Sequence, residues 1–329
     1  MKNILVVGGA GFLGSHLCEA LVAGAHVVCM DNFCTSTPAN IQPLLQHPRF
    51  ELIRHDINEP FDLASHRELD RFHVRVHGIQ EVYYLASPTA KHSFQAHKLT
   101  MMRTASVGLL HVLERVREYE AKFLLVSTSA LYADQNQPFL SEDDPCVSDH
   151  LGPYAAYDES KRFEETLVHT HAEVCRLPGR IVRLFRTYGP RMRLNEGYLL
   201  PDMIQSALAH RDLELPFSED ACMSLCYVND AIEGCIRTMG QELDTRVMNI
   251  GSDQEVRLGM VVARILELTH STARIRFLRE GVHRVSAVPN LEKARQLLHW
   301  LPLTRLDDGL LKMIDFIRSK EHEVDAFAS

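Results

Sequence analysis

Tyr157-Asp158-Glu159-Ser160-Lys161 sets a phenol and an ammonium four residues apart. On a helix, positions i and i+4 share a face, so both groups can point into one crevice. A free phenol titrates near ~10 and is a poor base at neutral pH. A nearby ammonium, and a cationic ring bound beside it, would favour the phenolate and lower that value. Thr128 lies twenty-nine residues before Tyr157, at the end of the apolar run Phe123–Ser127. Its hydroxyl could share a substrate oxygen with Tyr157. Such a set suits proton transfer to or from a hydroxyl while a cofactor carries hydride. Taken singly, Tyr-x-x-x-Lys is common on solvated helix surfaces, and a threonine after a strand often caps a turn. Only their occurrence together points to chemistry.

A second set opens the chain. The run Ile4–Val7 leads into Gly8-Gly9-Ala10-Gly11-Phe12-Leu13-Gly14 and then a helical pattern. Gly8 permits a tight turn, Gly11 lets backbone approach a pyrophosphate, and Gly14 allows close helix–strand packing. The helix N-terminus, beginning at Phe12 and Leu13, offers unpaired N–H groups and the positive end of its dipole to phosphate. Asp31 follows seventeen residues after Gly14, at the end of the next strand, beside Asn32. A carboxylate there takes ribose hydroxyls and repels a 2′-phosphate, which predicts NAD in preference to NADP. The alternative is an ordinary glycine turn with a solvated aspartate. A strand before the glycines and a helix after them weigh against it.

The elements that must position these groups alternate. Ile4–Val7, His26–Met30, Glu51–His55, Glu81–Leu85, Phe123–Ser127 and Arg180–Leu184 read as strands; Phe12–Ala23, Met101–Glu120 and Tyr154–Cys175 read as helices. Strands alternating with helices predict an α/β fold, a doubly wound parallel Rossmann sheet. Residues 57–78 are charged and irregular and read as a surface excursion. After Tyr188-Gly189-Pro190 the pattern becomes helical, over Leu200–Ala209, Val228–Met239, Leu258–Thr269, Leu291–Leu298 and Asp307–Arg318. Short strands such as Val247–Ile250 and Arg274–Phe277 separate these helices. Residues 1–190 are expected to form mainly the NAD-binding domain. Residues 191–329 are expected to form mainly a smaller discontinuous α/β substrate lobe, with some segments returning to the core. Open α/β sheets bind ligands at the carboxyl ends of their strands, so the crevice is expected there.

The 329 residues are 46% hydrophobic and 24% charged, with a formal charge of −8 spread along the chain. No basic run with interleaved aromatics marks a nucleic-acid partner. No stretch approaches the ~20 apolar residues of a membrane span, and a cytoplasmic protein is expected. The eight cysteines include no C-x-x-C pair and read as reduced thiols. The scattered histidines give no metal-ligand spacing, so no metal is expected.

GGAGFLGSHL, MDNF, HDI, YLASP, STSALY, YDESKR and RLFRTYGPRM fall in the order seen in extended short-chain dehydrogenases/reductases. Within these the chain resembles the UDP-glucuronate decarboxylases, through YVNDAIEG, MNIGS, KARQLLHW and DDGLLKMIDFIR to nearly its end. The resemblance implies Asp56-Ile57 beside the adenine and Leu85, Ala86 and Ser87 along the cofactor. It implies Thr128, Tyr157 and Lys161 as the catalytic set, and a homodimer packed through helices 101–120 and 154–175. It also places Lys91, Phe94, Ser129, Ala130, Arg186, Arg191, Tyr198 and Met223 at the substrate.

Departures gather on that substrate side. The decarboxylases resembled here have STSEVY, with a catalytic glutamate where this chain has Ala130. Their SPASPP-x-Y loop becomes SPTAKHSF, with Phe94 at the tyrosine. Arg186 replaces an asparagine, and Tyr198 and Asp202 replace arginine and asparagine. Met223 stands at another arginine, and Ala287-Val288 precede Pro289 where the family has an arginine; Arg284 lies nearby. Hydride chemistry is therefore expected to persist with a changed substrate or later step. The leading expectation is a nucleotide-sugar enzyme. A second is an oxidoreductase on a non-nucleotide alcohol or ketone, and a third is a silent NAD-binding scaffold.

Overall fold

The computed structural model describes residues 1–89, 94–132, 139–242, 247–280 and 285–328, with side chains through Lys320. Seven strands form the central sheet: β1 (Asn3–Val7), β2 (His26–Asp31), β3 (Phe50–Arg54), β4 (Glu81–Tyr84), β5 (Lys122–Thr128), β6 (Gly179–Leu184) and β7 (Val247–Ile250). Their order is β7-β6-β5-β4-β1-β2-β3. The registered pairs β1–β2, β1–β4, β2–β3 and β4–β5 are all parallel. Every residue of β1 and β6 is buried, as strands covered on both faces require. The order reverses between β1 and β4, and the segments after these two strands flank the place where such sheets bind ligands.

The covering helices include α1 (Phe12–Leu21), α2 (Phe94–Arg103), α3 (Leu109–Glu118) and α4 (Ala155–Val174). Leu109, Val112, Leu113 and Val116 recur at helical spacing on α3 and pack with Leu5, Val28, Val82 and Phe123 of the sheet. The helix expected over 101–120 begins earlier, at Phe94, and a π-helical turn at Thr104–Gly108 joins α2 to α3. Residues 57–78 are not a surface excursion. They form short 3₁₀ turns and the helical turn Val74–His77, and they bury Leu63, Leu69, Phe72 and Val74 in the main core. Tight 3₁₀ turns have a period of three and stop after a turn or two, so their apolar residues show no α-helical spacing.

The chain divides into two compact units. One comprises Met1–Ala133, Pro145–Arg183 and Ile232–Met248; the other comprises Asp134–Asp144, Leu184–Ala231 and Asn249–Ser329. Val247–Ile250, read above as a strand of the second lobe, is the seventh strand of the central sheet. The second unit carries Leu199–Leu208, Leu258–Thr269, Glu292–Leu298 and Leu306–Ala328 as helices. Within it Arg264 holds Asp307 through two hydrogen bonds, 2.9 and 2.8 Å, and the buried Trp300 donates its indole N–H to the Asp230 carbonyl. Among the described residues no helix is long and apolar enough to cross a membrane.

Candidate active site

The glycine loop is shaped by what lies against it. Gly8 has φ +79°, and a Cβ there would stand 2.8–2.9 Å from the backbone of Leu85 and Ala86. A Cβ on Gly14 would stand 2.2 Å from the Gly8 carbonyl oxygen. Gly11 precedes α1 and supplies no side-chain cap, so the first-turn amides of Phe12 and Leu13 have none from that position. Gly8 and Gly11 line an open pocket together with Asp31, Asn32, Asp56 and Ile57. Leu85, Ala86 and Ser87, following β4, complete the predicted part of its wall. Phe12, Leu13 and Gly14 are not in that wall; they build the turn behind it.

Sequence reasoning missed Thr35, Ser36, His55, Thr100 and Thr104, which also line the cavity. Ser36 could have been suspected from its place in the polar segment after Asp31. Thr100 and Thr104 face the cavity because of the π turn, which no motif announced.

Asp31 is more constrained than expected. Its carboxylate accepts from Ala10 N at 2.9 Å, Phe33 N at 2.8 Å and Ser36 Oγ at 2.7 Å. Asp31 thus ties the glycine loop to the segment after β2, with acceptor capacity left for one further donor. Asp56 accepts from the amide and side chain of Asn58, which holds Ile57 against Gly108.

Tyr157 and Lys161 stand on the first two turns of α4, and Thr128 ends β5. Thr128 Oγ1 accepts from Ala130 N at 3.1 Å and is also a hydrogen-bond neighbour of the Tyr157 phenol. The turn cap and the catalytic hydroxyl are one residue. Lys161 is 4% exposed; its Nζ donates to the Val126 carbonyl at 3.1 Å and to Glu164 Oε2 at 2.9 Å. Burial pushes the Tyr157 phenol above its ordinary value, outweighing the lowering by Lys161 and by the Thr128 hydrogen bond. The Lys161 ammonium lowers the phenol in the direction expected, but by less than burial raises it. A brace stands beside the set: Ser127 Oγ donates to Glu165 Oε1 at 2.6 Å, and Arg183 donates to both Glu165 oxygens at 3.0 and 2.8 Å. It fastens α4 to β5 and β6.

Of the residues expected at the substrate, Ser129 and Ala130 form the 3₁₀ turn after Thr128, with Ala130 exposed. Phe94 begins α2, edge-on to Tyr154 at 5.7 Å and beneath the Lys98 ammonium at 5.5 Å. Lys91 and Arg284 lie outside the described residues. Arg186, Arg191, Tyr198 and Met223 belong to the second unit. There Arg186 is exposed and donates to the Val285 carbonyl at 3.0 Å, Arg191 has φ 68°, and Tyr198 precedes the helix Leu199–Leu208. Met223 is corrected to a core residue: it has no exposed surface and pairs with Val256 across a short antiparallel ladder. An uncharged thioether can be buried where a guanidinium could not. Ala287 and Val288 are buried likewise. Among the described residues no group of three potential metal ligands occurs.

Residues 4–251 match the NAD dependent epimerase/dehydratase family. The chain belongs to that family. UDP-glucuronic acid decarboxylase 1 of Xenopus tropicalis is 32% identical over 98% of this chain and 74% of its own length. UDP-glucuronic acid decarboxylase 3 of Arabidopsis thaliana is 32% identical over 96% of this chain and 89% of its own. Among solved structures, UDP-glucuronic acid 4-epimerase from Bacillus cereus in complex with NAD superposes with a TM-score of 0.81. It is 27% identical, covering 97% of this chain and 99% of that one. The chain is an NAD-dependent enzyme of that family. The glycine cradle, the amides of α1 left without a cap from Gly11 and the cavity beneath Asp31 fit that cofactor.

Proposed function

We propose that this enzyme oxidises and re-reduces a ring hydroxyl of a nucleotide sugar, as an epimerase rather than a decarboxylase. The observation that carries this reading is the end of β5 and start of α4. Thr128, Tyr157 and Lys161 stand in one cluster there, while Ala130 presents only a methyl group at the adjoining turn. Gly8, Gly11, Asp31, Asp56, Ile57 and Leu85–Ser87 would hold the cofactor. When bound, NAD supplies hydride acceptance and donation and a positive charge near the phenol. Thr128 holds the reacting oxygen, Tyr157 takes and returns its proton, and Lys161 provides a fixed ammonium beside the phenol. Epimerisation asks for no further acid or base. Decarboxylation asks for a group to protonate the resulting enolate, and Ala130 has none. The likeness to a UDP-glucuronic acid 4-epimerase supports the same choice.

The test is to offer UDP-glucuronate and resolve the products. A C4 epimer is expected; UDP-xylose formed at about one turnover per second, a common enzyme rate, would overturn the reading. Tyr157→Phe should abolish turnover and leave NAD affinity within about twofold, since only the proton acceptor is removed. A non-nucleotide alcohol is the second reading, favoured by the buried Met223 and Ala287 where the resembled family has cations. Turnover of free alcohols but of no nucleotide sugar would decide for it.

The second unit is proposed to bind substrate, and the chain to form a homodimer through α2, α3 and α4. Leu99, Met102 and Leu110 on the first two, and Phe163 on α4, are exposed large apolar side chains, which supports a covered face. Light scattering should give twice the 37.4 kDa chain mass, and Leu110→Glu should give the monomer.

A further inference from the structure

Tyr157, Lys161 and Glu164 occupy positions i, i+4 and i+7 of α4, a single helical stripe that Val168 and Ala172 continue into the core. An apolar residue is the ordinary occupant of such a stripe. Glu164 is instead a carboxylate with a side chain only 2% exposed, paired at 2.9 Å with a lysine side chain 5% exposed. Burying two charges costs more than such a pair commonly returns, so stability does not account for it. We propose that Glu164 is a positioning residue of the catalytic set: its carboxylate keeps the Lys161 ammonium charged and fixed beside Tyr157, and thereby sets the alkaline limit of the reaction. This rests on Tyr157 and Lys161 doing the chemistry proposed above.

The surroundings leave Lys161 dependent on that carboxylate. Its other named acceptor is the neutral Val126 carbonyl. A buried lysine without an anionic partner loses its proton readily, because burial penalises the charged form. From β4 the group facing Glu164 is the Tyr84 phenol, whose hydroxyl donates to the Thr104 carbonyl. From β5 come the hydroxyls of Thr128 and Ser127. Asp158 and Glu165 stand on α4 itself, and Glu165 is taken up by Arg183 of β6. Burial lowers and Glu164 raises the Lys161 ammonium, and the balance lies above its ordinary value. Without the carboxylate the burial would be opposed only by Tyr157 and by Glu165, which Arg183 already holds. The sign is fixed: removing a negative charge lowers the proton affinity of its neighbours, so Lys161 would lose its proton at lower pH.

The chain has eight lysines, few enough to follow singly by carbon-13 NMR of Cε-labelled protein, with Lys161 assigned by its loss in Lys161→Met. In the unaltered chain the Lys161 resonance should keep its ammonium shift past the pH at which an ordinary lysine titrates; an earlier midpoint overturns the proposal, and this arm needs no Glu164 variant. In Glu164→Gln the midpoint should fall by about one pH unit or more. The alkaline limb of UDP-glucuronate turnover should then move to lower pH with it, with about tenfold loss one unit above the new midpoint. Glu164→Asp, which keeps the charge, should restore most of the range. A uniform loss at every pH with the Lys161 midpoint unmoved means a merely structural carboxylate, and overturns the proposal. The NMR readout needs no turnover, so its failure is distinct from that of the proposed function, which Tyr157→Phe tests.

Discussion

Asp31 is expected to serve both fold and cofactor choice, and two substitutions separate the roles. Asp31→Ala strips acceptors from Ala10 N, Phe33 N and Ser36 Oγ. Ala10 is fully buried, so its amide is left without water, at a cost of about 1–3 kcal/mol. The other two donors can be rehydrated and add roughly 0.5–1.5 kcal/mol each. The total is about 2–6 kcal/mol, and at ~2 °C per kcal/mol for a chain of this size it lowers Tm by roughly 4–12 °C. Asp31→Asn keeps one acceptor oxygen and removes the charge, so its Tm should fall less. The charge decides the cofactor. A carboxylate and a 2′-phosphate about 5 Å apart, at an effective dielectric near 20, repel by about 3 kcal/mol, more than a hundredfold in affinity. Isothermal titration should therefore show NAD bound at least a hundredfold tighter than NADP by the unaltered chain, and the gap narrowed in Asp31→Asn. Equal affinities in the unaltered chain would refute the charge argument. An Asp31→Ala protein that melts like the unaltered one would refute the structural role.

Gly14→Ala places a methyl 2.2 Å from the Gly8 carbonyl, and overpacking of this kind costs about 1–3 kcal/mol. NAD affinity by titration should drop roughly tenfold or more as the loop gives way. Glu165→Ala leaves Arg183, whose side chain is 8% exposed, without its anion, a loss of about 3–5 kcal/mol to be read by urea unfolding. Because the brace fastens α4 beside Tyr157, kcat should fall with it.

The strands, the glycine loop and the Tyr/Lys helix were legible because each leaves a local pattern: an all-apolar run, a glycine spacing, a four-residue repeat. What escaped the sequence lacks such a pattern. The residues Leu63, Leu69, Phe72 and Val74 enter the core from tight turns amid charges, so composition pointed outward while packing went inward. Val247–Ile250 reads as a strand in either unit; only tertiary pairing puts it at the edge of the central sheet. The three bonds that occupy Asp31 come from residues as far apart as Ala10 and Ser36. The Lys161–Glu164 spacing is visible in the sequence, yet i,i+3 ion pairs are usual on wet helix faces. Burial alone distinguishes this one.

The π-helical turn at Thr104–Gly108 constrains how this stretch of chain can be edited. An α-helix advances about 100° per residue, and a π turn accommodates one extra residue without breaking the helix. Deleting any one residue of 104–108 would let α2 and α3 join as a regular helix, at the expense of their phase. Because α3 is pinned through Leu109, Val112, Leu113 and Val116, the rotation would fall on α2. Thr100 would swing out of the cavity wall, and Met101, now 1% exposed, would leave its place against the core. This helix can accept changes of residue type at its surface, but its length between Phe94 and Glu118 is fixed by the two faces it must present at once.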